Sequence, residues 1–403
     1  MADRTVPRPG LQRHPRPGLA GHSWERVARV APQRPGRREQ RRRRSAGHRL
    51  GDTGEARRAD GAAVRRCDGA PGDRARHLVV GGTRVDLRKS AISNQQSAIP
   101  TVPVRPLLKW VGGKRQLLPH LRRFYPQDFG RYIEPFFGSG AVFFDLHSAG
   151  RLLDRDVVLI DSNADLIGCY EAVRDSPERV AEALDELAAA HARDGHRHYY
   201  RVRDRQFNPL REGLRSATGR IAYTPDLAAM LIYLNRTGFN GLFRVNARGD
   251  FNVPAGRYDR PTIVDRPKLF RVAHALAGKR VRLECGSFEI ARTLAEAEDF
   301  LYVDPPYAPL SVTSSFTSYT APRFAAADQR RLQAMIIELA RRRCHVLLSN
   351  STADEIAALY DADREVRDAG LRALRVPARR AVNSNSARRG HVEEYLITNI
   401  AGS

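Results

Sequence analysis

The chain has 403 residues, and its 68 Lys and Arg against 45 Asp and Glu give a formal net charge of +23 at pH 7. This length allows two or three domains, and the basic charge suggests a polyanionic partner such as nucleic acid. The four cysteines are too scattered for a disulfide framework or a metal site, no apolar run reaches the ~18 residues of a transmembrane helix, and the N-terminus lacks the apolar core of a signal peptide. We therefore expect a cytoplasmic protein without membrane contact.

The first 103 residues are rich in Arg, Pro and Gly and have almost no apolar periodicity. Residues 1–100 carry 23 Lys and Arg against 9 Asp and Glu, which is more than half of the chain's excess charge. Such a segment buries too little surface to offset its chain entropy, so we predict that residues 1–103 form a disordered tail. The tail could bind DNA, could be simply solvated, or could be upstream sequence that follows a start codon assigned too early.

From Leu107 the pattern becomes that of a globular protein. Short apolar runs predict β-strands at 131–134, 157–160, 300–303, 345–348 and 395–398. Helical periodicity is found from 141 onward and over 164–190, 225–236 and 327–342. Because strands alternate with helices, we predict an α/β fold with a parallel sheet.

A glycine turn follows the first predicted strand and precedes a predicted helix. It reads E-P-F-F-G-S-G over 134–140, and Gly138 and Gly140 allow the backbone to approach a ligand closely. A dinucleotide-binding loop would have a third glycine where this chain has Phe143. Asp161 ends the next strand, where an acid binds ribose hydroxyls in doubly wound folds. The pattern indicates an adenosine site without a pyrophosphate cradle, which suits S-adenosylmethionine. The alternative is a plain glycine turn and a surface acid.

The segment 109–114 reads K-W-V-G-G-K and is only partly like a phosphate-binding loop. It lacks the first glycine of G-x-x-x-x-G-K-[ST], and Arg115 replaces the final Ser or Thr, which excludes that class of nucleotide triphosphatase. Trp110 lies between two lysines and could instead cover the face of an adenine, while a lysine pairs with a carboxylate or phosphate.

The most informative turn follows the apolar run at 300–303 and reads Asp304-Pro305-Pro306-Tyr307. The two prolines fix φ and remove two backbone donors, so the chain leaves the sheet in a stiff, extended turn. Such a turn can hold a carboxylate and a carbonyl at a fixed separation beside an aromatic ring. The two oxygens would accept both N–H groups of a planar amine, such as that of a nucleic-acid base, while the ring stacks on its face. The alternative is a proline-rich turn that closes a strand.

Arg, Asn and aromatic residues are interleaved over 235–260, which we expect to form a loop or hairpin. Arg can pair with guanine edges and Asn with adenine, and aromatic rings can wedge or stack between bases. Two later segments are weaker candidates for substrate or DNA contacts, and each could equally be a surface loop. Residues 311–319, the first of them, could close over a substrate. The second is a basic loop that could meet phosphates, with Arg379, Arg380, Asn383, Asn385, Arg388 and Arg389.

Taken together, these segments resemble the Dam-like DNA adenine-N6 methyltransferases. The shared pieces, in order, are L-K-W-V-G-G-K, E-P-F-F-G-S-G, D-S-N-A-D, R-T-G-F-N-G-L-F-R-V-N, F-N-V-P-A-G-R-Y, D-P-P-Y-A-P-L-S and L-S-N-S. The resemblance extends over about 106–399. The cofactor region comes first, the target-recognition segment second and the Asp-Pro-Pro-Tyr turn third, which is the motif order of the alpha group of these enzymes. It implies a Rossmann-like methyltransferase fold with a mostly parallel seven-stranded sheet. A catalytic domain (104–164 and 262–403) would carry an inserted helical and hairpin DNA-recognition domain (165–261).

The resemblance also implies roles for individual residues. The catalytic adenine site would comprise Asp304, Pro305, Pro306 and Tyr307. The cofactor S-adenosylmethionine would be held by Trp110, Lys114, Phe137, Gly138, Gly140, Asp161 and Asp304. Double-stranded DNA would be read by Phe239, Asn240, Leu242, Arg244, Asn246, Arg257 and Tyr258. We expect a monomeric enzyme that needs no metal and methylates a flipped adenine at a GATC-like site.

Three other functions are compatible with parts of the pattern. Protein-glutamine methyltransferases also present an amide to a Pro-Pro-Tyr turn, but they typically carry Asn in place of Asp304 and lack the 235–260 segment. An RNA adenine methyltransferase is the second. The third is a non-enzymatic DNA-binding protein descended from a methyltransferase, against which the intact motifs argue.

Overall fold

The computed structural model describes residues 102–307, 324–379 and 391–402. Three predicted features lie outside these residues and stay predictions. They are the tail apart from residues 102 and 103, the segment 311–319, and the basic positions Arg380, Asn383, Asn385, Arg388 and Arg389.

In the described part of the chain, seven strands form one sheet with the order β3-β2-β1-β4-β5-β7-β6. The strands are β1 (Tyr132–Glu134), β2 (Val157–Asp161), β3 (Val281–Cys285), β4 (Phe300–Val303), β5 (His345–Ser351), β6 (Arg372–Arg379) and β7 (His391–Thr398). Strands β1 to β5 are parallel, and β7 runs antiparallel between β5 and β6. The predicted α/β fold with a mostly parallel, seven-stranded sheet is therefore confirmed.

Helices connect and flank these strands. They are α1 (Leu118–Leu121), α2 (Ala141–Ser148), α3 (Ala164–Asp175), α4 (Pro177–Asp194), α5 (His196–Arg201), α6 (Asn208–Gly213), α7 (Pro225–Thr237), α8 (Arg266–Leu276), α9 (Ile290–Leu294), α10 (Ala326–Arg341), α11 (Asp354–Tyr360) and α12 (Arg364–Asp368). A π-helical turn over Val202–Phe207 joins α5 to α6. The helical pattern predicted over 164–190 is made up of α3 and α4, and the break falls before Pro177, because proline lacks a backbone N–H and is favoured in the first turn of a helix.

Two apolar clusters cover opposite faces of the sheet. Along β2, Val157 and Leu159 belong to one cluster, and Val158 and Ile160 belong to the other. A strand that is buried on both faces has a nearly continuous apolar sequence. This burial explains why the central strands are visible as short apolar runs.

The chain between β2 and β3 is mostly helical and contains α3 to α8. Side chains from this segment, including Tyr170, Tyr233 and Leu276, belong to the same apolar cluster as Tyr132 of the sheet. The segment therefore shares a core with one face of the sheet, and its identity as a DNA-recognition domain with bounds 165–261 stays a prediction. None of the helices in the described part of the chain combines the length and the apolar composition that a membrane span requires.

Candidate active site

The glycine turn joins β1 to α2 and is hydrogen-bonded to Asp161 at the end of β2. The Asp161 carboxylate accepts hydrogen bonds from the backbone N–H of Gly138, at 2.9 Å, and of Asn163, at 2.8 Å. Gly138 has a φ of +48°, and a Cβ added there would lie 3.2 Å from the Trp110 ring. The turn therefore needs glycine at 138 both for its backbone conformation and for its contact with Trp110.

A cavity of about 1030 Å³ lies beside this turn, at the carboxyl ends of β1, β2 and β4. Ligands of open α/β sheets bind at this end of the strands. Nine predicted residues of the cofactor and adenine sites line the cavity: Trp110, Lys114, Phe137, Gly138, Asp161, Asp304, Pro305, Pro306 and Tyr307. Gly140, the tenth, packs against Phe137, whose ring would lie 2.4 Å from an added Cβ. The fold thus brings together residues that are nearly 200 positions apart.

The cavity walls combine aromatic rings with carboxyl groups. Phe136 and Phe288 stack with their ring centroids 5.3 Å apart, while Asp161 and Glu134 add carboxyl groups. Aromatic faces suit a purine, and carboxyl oxygens suit ribose hydroxyls or a cationic group. The residues present therefore fit a positively charged cofactor that contains adenosine. The described residues contain no group of three or more His, Cys, Asp or Glu placed to hold a metal ion.

Glu134 is a buried residue of the cavity that was not among the predicted site residues. Its Oε2 accepts a hydrogen bond from the Tyr132 hydroxyl at 2.8 Å. Burial raises the pKa of the Glu134 carboxyl well above its usual range, and the charge of Asp304 adds to the rise. The fold therefore shifts this carboxyl toward its neutral form relative to a glutamate in water. The only sequence signal for Glu134 is its place at the start of the glycine turn.

Asp304, at the end of β4, is held by two side-chain donors. Its Oδ1 lies 2.6 Å from the Lys114 Nζ and accepts a hydrogen bond from the Ser349 Oγ at 3.0 Å. Burial raises the pKa of the Asp304 carboxyl, while Lys114 and Ser349 oppose that rise because they favour the charged form. Both donors engage the same oxygen. No hydrogen bond from the described residues reaches Oδ2.

The other end of the turn is held through Pro306 and Tyr307. The Pro306 carbonyl accepts a hydrogen bond from the Gln329 Nε2 at 3.1 Å, and the Tyr307 hydroxyl donates to the Glu394 Oε2 at 2.6 Å. Burial raises the pKa of Tyr307 well above its usual range, so the hydroxyl keeps its proton and can donate. The described residues offer no hydrogen-bond donor to the carbonyl of Pro305.

Three of these supporting residues were not predicted as members of the site. Ser349 belongs to the L-S-N-S segment, which is part of the family resemblance but for which no function was predicted. Gln329 and Glu394 lie 23 and 87 residues from the turn atoms that they contact, and no local pattern marks them. The motifs therefore identify the turn, but not the residues that hold it.

Residues 238–258 form an irregular hairpin after α7. Antiparallel bridges join Gly238 to Ala255 and Val245 to Phe251. Four of the predicted DNA-reading residues are exposed: Phe239, Asn240, Arg244 and Arg257. These four residues therefore present a large aromatic side chain, an amide and two guanidinium groups to solvent.

The other three predicted DNA-reading residues are engaged within the protein. Leu242 packs against the first apolar cluster, and the Lys109 Nζ lies 4.8 Å from the centroid of the half-buried Tyr258 ring. The Asn246 Oδ1 accepts hydrogen bonds from the backbone N–H of Arg248 and Asp250, at 2.9 and 3.0 Å. Asn246 thus stabilises the end of the hairpin, and its contact with DNA stays a prediction.

A buried ion pair supports the hairpin. The Arg211 guanidinium donates to both oxygens of Asp165, at 2.6 and 2.7 Å, and to the Gly249 carbonyl at 2.6 Å. The Tyr223 hydroxyl also donates to Asp165, at 2.9 Å. Asp165 lies in the first turn of α3, which the side chain of Asn163 caps beside the cavity. One set of contacts therefore links the hairpin to a helix that begins at the candidate cofactor site.

Comparison with known proteins shows the family. Residues 110–374 match the family of D12 class N6 adenine-specific DNA methyltransferases. The chain is 38% identical over 300 residues to the type II methyltransferase M1.LlaDCHI of Lactococcus lactis subsp. cremoris, covering 74% of this chain and 96% of the relative. It is 32% identical over 292 residues to the DNA adenine methylase of Escherichia coli strain K12, and the match covers 72% of this chain and 94% of that relative. The chain therefore belongs to the D12 class of adenine-specific DNA methyltransferases, and the predicted enzyme class is confirmed.

Proposed function

We propose that this chain transfers a methyl group from S-adenosylmethionine to N6 of an adenine flipped out of duplex DNA, at a GATC-like site. One observation carries the proposal. Asp304 and Pro305 line the cavity, and the described residues donate no hydrogen bond to the Asp304 Oδ2 or to the Pro305 carbonyl. The Asp304 Oδ1 and the Pro306 carbonyl, in contrast, both accept hydrogen bonds within the protein. The adenine amine has two N–H groups, and the Asp304 Oδ2 and the Pro305 carbonyl match them in number.

The cofactor would occupy the part of the cavity next to the glycine turn. Trp110, Phe137 and Gly138 would contact its adenosine part, Asp161 its ribose, and Asp304 would lie near its methionine end. When bound, S-adenosylmethionine supplies an electrophilic methyl group on a positively charged sulfur. The carboxyl groups of the cavity are complementary to that charge.

Asp304 and Pro305 would prepare the amine for transfer. The lone pair of the adenine amine is delocalised into the ring, which makes the nitrogen a poor nucleophile. By accepting both protons, the two oxygens favour a more tetrahedral nitrogen and orient its lone pair toward the methyl group. The Asp304 carboxylate then stabilises the positive charge that develops on the nitrogen. Asp304 is thus mainly an acceptor, and the proton leaves the nitrogen after transfer.

Tyr307 would bind the flipped base by stacking. Removing a base from the helix costs a few kcal/mol, and stacking on an aromatic side chain contributes about 1–3 kcal/mol in return. The Lys114 Nζ lies over one face of the Tyr307 ring, 4.4 Å from its centroid. The adenine would therefore stack on the opposite face.

The hairpin would read the DNA sequence. Its exposed Arg244 can pair with a guanine edge in the major groove, and its exposed Phe239 can enter the base stack. The resemblance to Dam-like enzymes supports a GATC-like site. Domain bounds, a monomeric state and a cytoplasmic location stay predictions.

Transfer of a labelled methyl group to duplex DNA, RNA and protein tests the reaction. We expect the label in duplex DNA as N6-methyladenine, and label in RNA or in protein glutamine would contradict the proposal. Sequencing of methylated adenines in a host that expresses the chain then tests the site. Methylation confined to another sequence would refute the GATC-like site and leave the reaction standing.

A further inference from the structure

Two buried amide side chains lie behind the 304–307 turn. Gln329 on α10 is 1% exposed, and Asn350 on β5 is 0% exposed. The Asn350 Nδ2 donates to the Gln329 Oε1 at 3.1 Å, and the Gln329 Nε2 donates to the Pro306 carbonyl at 3.1 Å. The amides therefore form a short relay that ends on the turn.

The direction of this relay is fixed by the backbone. The N–H of Ser351 donates to the Asn350 Oδ1 at 2.8 Å, and a backbone N–H can only donate. The Asn350 oxygen must therefore face Ser351, which leaves its amino group facing Gln329. The Gln329 oxygen must then face Asn350, so only its amino group can face the Pro306 carbonyl. Every amide orientation follows from one backbone donor.

This relay restrains the peptide next to the proposed acceptor. The rings of Pro305 and Pro306 fix φ at both residues, so the carbonyl directions depend mainly on ψ. The Gln329 contact fixes the carbonyl of Pro306, and the Ser349 contact fixes the carboxylate of Asp304. The Pro305 carbonyl lies between these two restraints and has no donor of its own among the described residues.

We propose that Gln329 and Asn350 are positioning residues, which aim the Pro305 carbonyl at the adenine amine by holding the Pro306 carbonyl. This inference rests on the proposed function, because it assigns the Pro305 carbonyl to that amine. It gives the L-S-N-S segment a role: Ser349 holds one side of the turn and Asn350 acts on the other side through Gln329. The competing explanation is a buried polar pair that only stabilises the core.

Gln329→Met tests the proposal, because methionine has nearly the same length and cannot donate. Gln333→Met is the matched control: Gln333 lies one turn further along α10 and donates to the Leu359 carbonyl, away from the turn. We expect Gln329→Met to slow single-turnover methyl transfer about 10- to 100-fold, as for a small misplacement of a reacting group. DNA and cofactor dissociation constants should stay within about twofold, and Gln333→Met should transfer at nearly the unaltered rate.

Asn350→Asp is a second variant that keeps the acceptor for Ser351 and removes the donor to Gln329. The amino group of Gln329 would then turn toward the new carboxylate and away from the Pro306 carbonyl, so a similar loss of rate is expected. If the two residues act as one relay, Asn350→Asp should cause little further loss in the Gln329→Met background.

The outcomes separate this inference from the proposed function. Equal rates for Gln329→Met, Gln333→Met and the unaltered chain would overturn the positioning role alone. So would a loss explained by weaker DNA or cofactor binding, or equal losses in Gln329→Met and Gln333→Met. Failure of the unaltered chain to methylate duplex DNA would overturn the proposed function, and the inference with it.

Discussion

The turn at 304–307 and the hairpin at 238–258 serve one reaction in the proposed function, but the fold holds their side chains in different ways. In the turn, Asp304 is bound by Lys114 and Ser349 inside the protein. In the hairpin, the backbone is anchored, whereas Phe239 is 48% exposed and Arg244 is also exposed. Among the described residues, the Arg244 Nε donates a hydrogen bond to a neighbour on the same hairpin, the Asn252 Oδ1, at 2.8 Å.

This difference matches the demands of chemistry and of sequence reading. A reacting amine must be held within a fraction of an ångström, which requires restrained groups. Reading base edges requires side chains that reach into a groove and exchange water for the base. Substitutions in the turn should therefore change the rate of transfer, and substitutions in the hairpin should change the choice of sequence.

Asp304→Ala should give the largest effect. It removes the proposed acceptor and the charge that stabilises the developing cation, so transfer should fall by about 100- to 1,000-fold or more. Single-turnover rates and DNA binding, measured in parallel, test this expectation. Near-normal methylation in the variant would rule out the assigned role, whereas a loss of DNA binding would show that the two regions are not independent.

Arg244→Ala should change sequence preference. A bidentate pair between arginine and guanine contributes about 1–3 kcal/mol of discrimination, so preference at one base pair should fall about 5- to 150-fold. Competition between cognate duplexes and duplexes with one altered base pair provides the measurement. Arg248→Ala is the control on the same hairpin, because Arg248 is also an exposed arginine but is not a predicted DNA-reading residue. Its Nε lies 3.8 Å from the Asp250 Oδ2. Unchanged discrimination in Arg244→Ala would remove this residue from sequence reading.

Lys114→Gln should shift the pH dependence of transfer. Lys114 favours the charged form of Asp304, so its removal raises the pKa of that carboxyl further above its usual value. A protonated carboxyl is a poorer acceptor for the amine, so the acidic limb of the rate profile should move to higher pH. Single-turnover rates across a pH series should show a larger loss at acid than at alkaline pH. A loss of equal size at every pH would argue against this coupling.

Glu134→Gln should have a small effect that concerns stability. The pKa of Glu134 is raised in the folded state, so its contribution to stability is present below the unfolded pKa and is lost as pH rises through the folded pKa. Glutamine cannot ionise, so the Glu134→Gln variant does not lose this stability as the pH rises. Thermal melting of both proteins should therefore show a gain for Glu134→Gln that grows from acid to neutral pH. A variant that is less stable at neutral pH would contradict the assignment.

The central strands could be predicted from the sequence, whereas the edge strands could not. Strands β1, β2, β4 and β5 are covered on both faces, and their apolar runs are visible. Strands β3 and β6 lie at the two edges of the sheet. The sequence of β3 alternates apolar and charged residues, V-R-L-E-C, and β6 contains Pro377. Such polar or proline-containing segments are tolerated at edges and give a weak strand signal.

The residues of the motifs at the candidate site could be predicted from the sequence, whereas the residues that support them could not. The predicted residues that line the cavity belong to short motifs that are contiguous in sequence, such as the glycine turn and Asp304–Tyr307. Their supports come from elsewhere in the chain: Ser349 lies 45 residues from Asp304. Contacts over such separations depend on the strand order, which no local pattern reveals.

A structure of the protein with duplex DNA and an unreactive cofactor analogue tests the proposed function most directly. We expect a flipped adenine stacked on Tyr307, with its N6 about 3 Å from both the Asp304 Oδ2 and the Pro305 carbonyl. An adenine amine bonded to other groups, or a target base that remains in the helix, would contradict the proposed role of the turn.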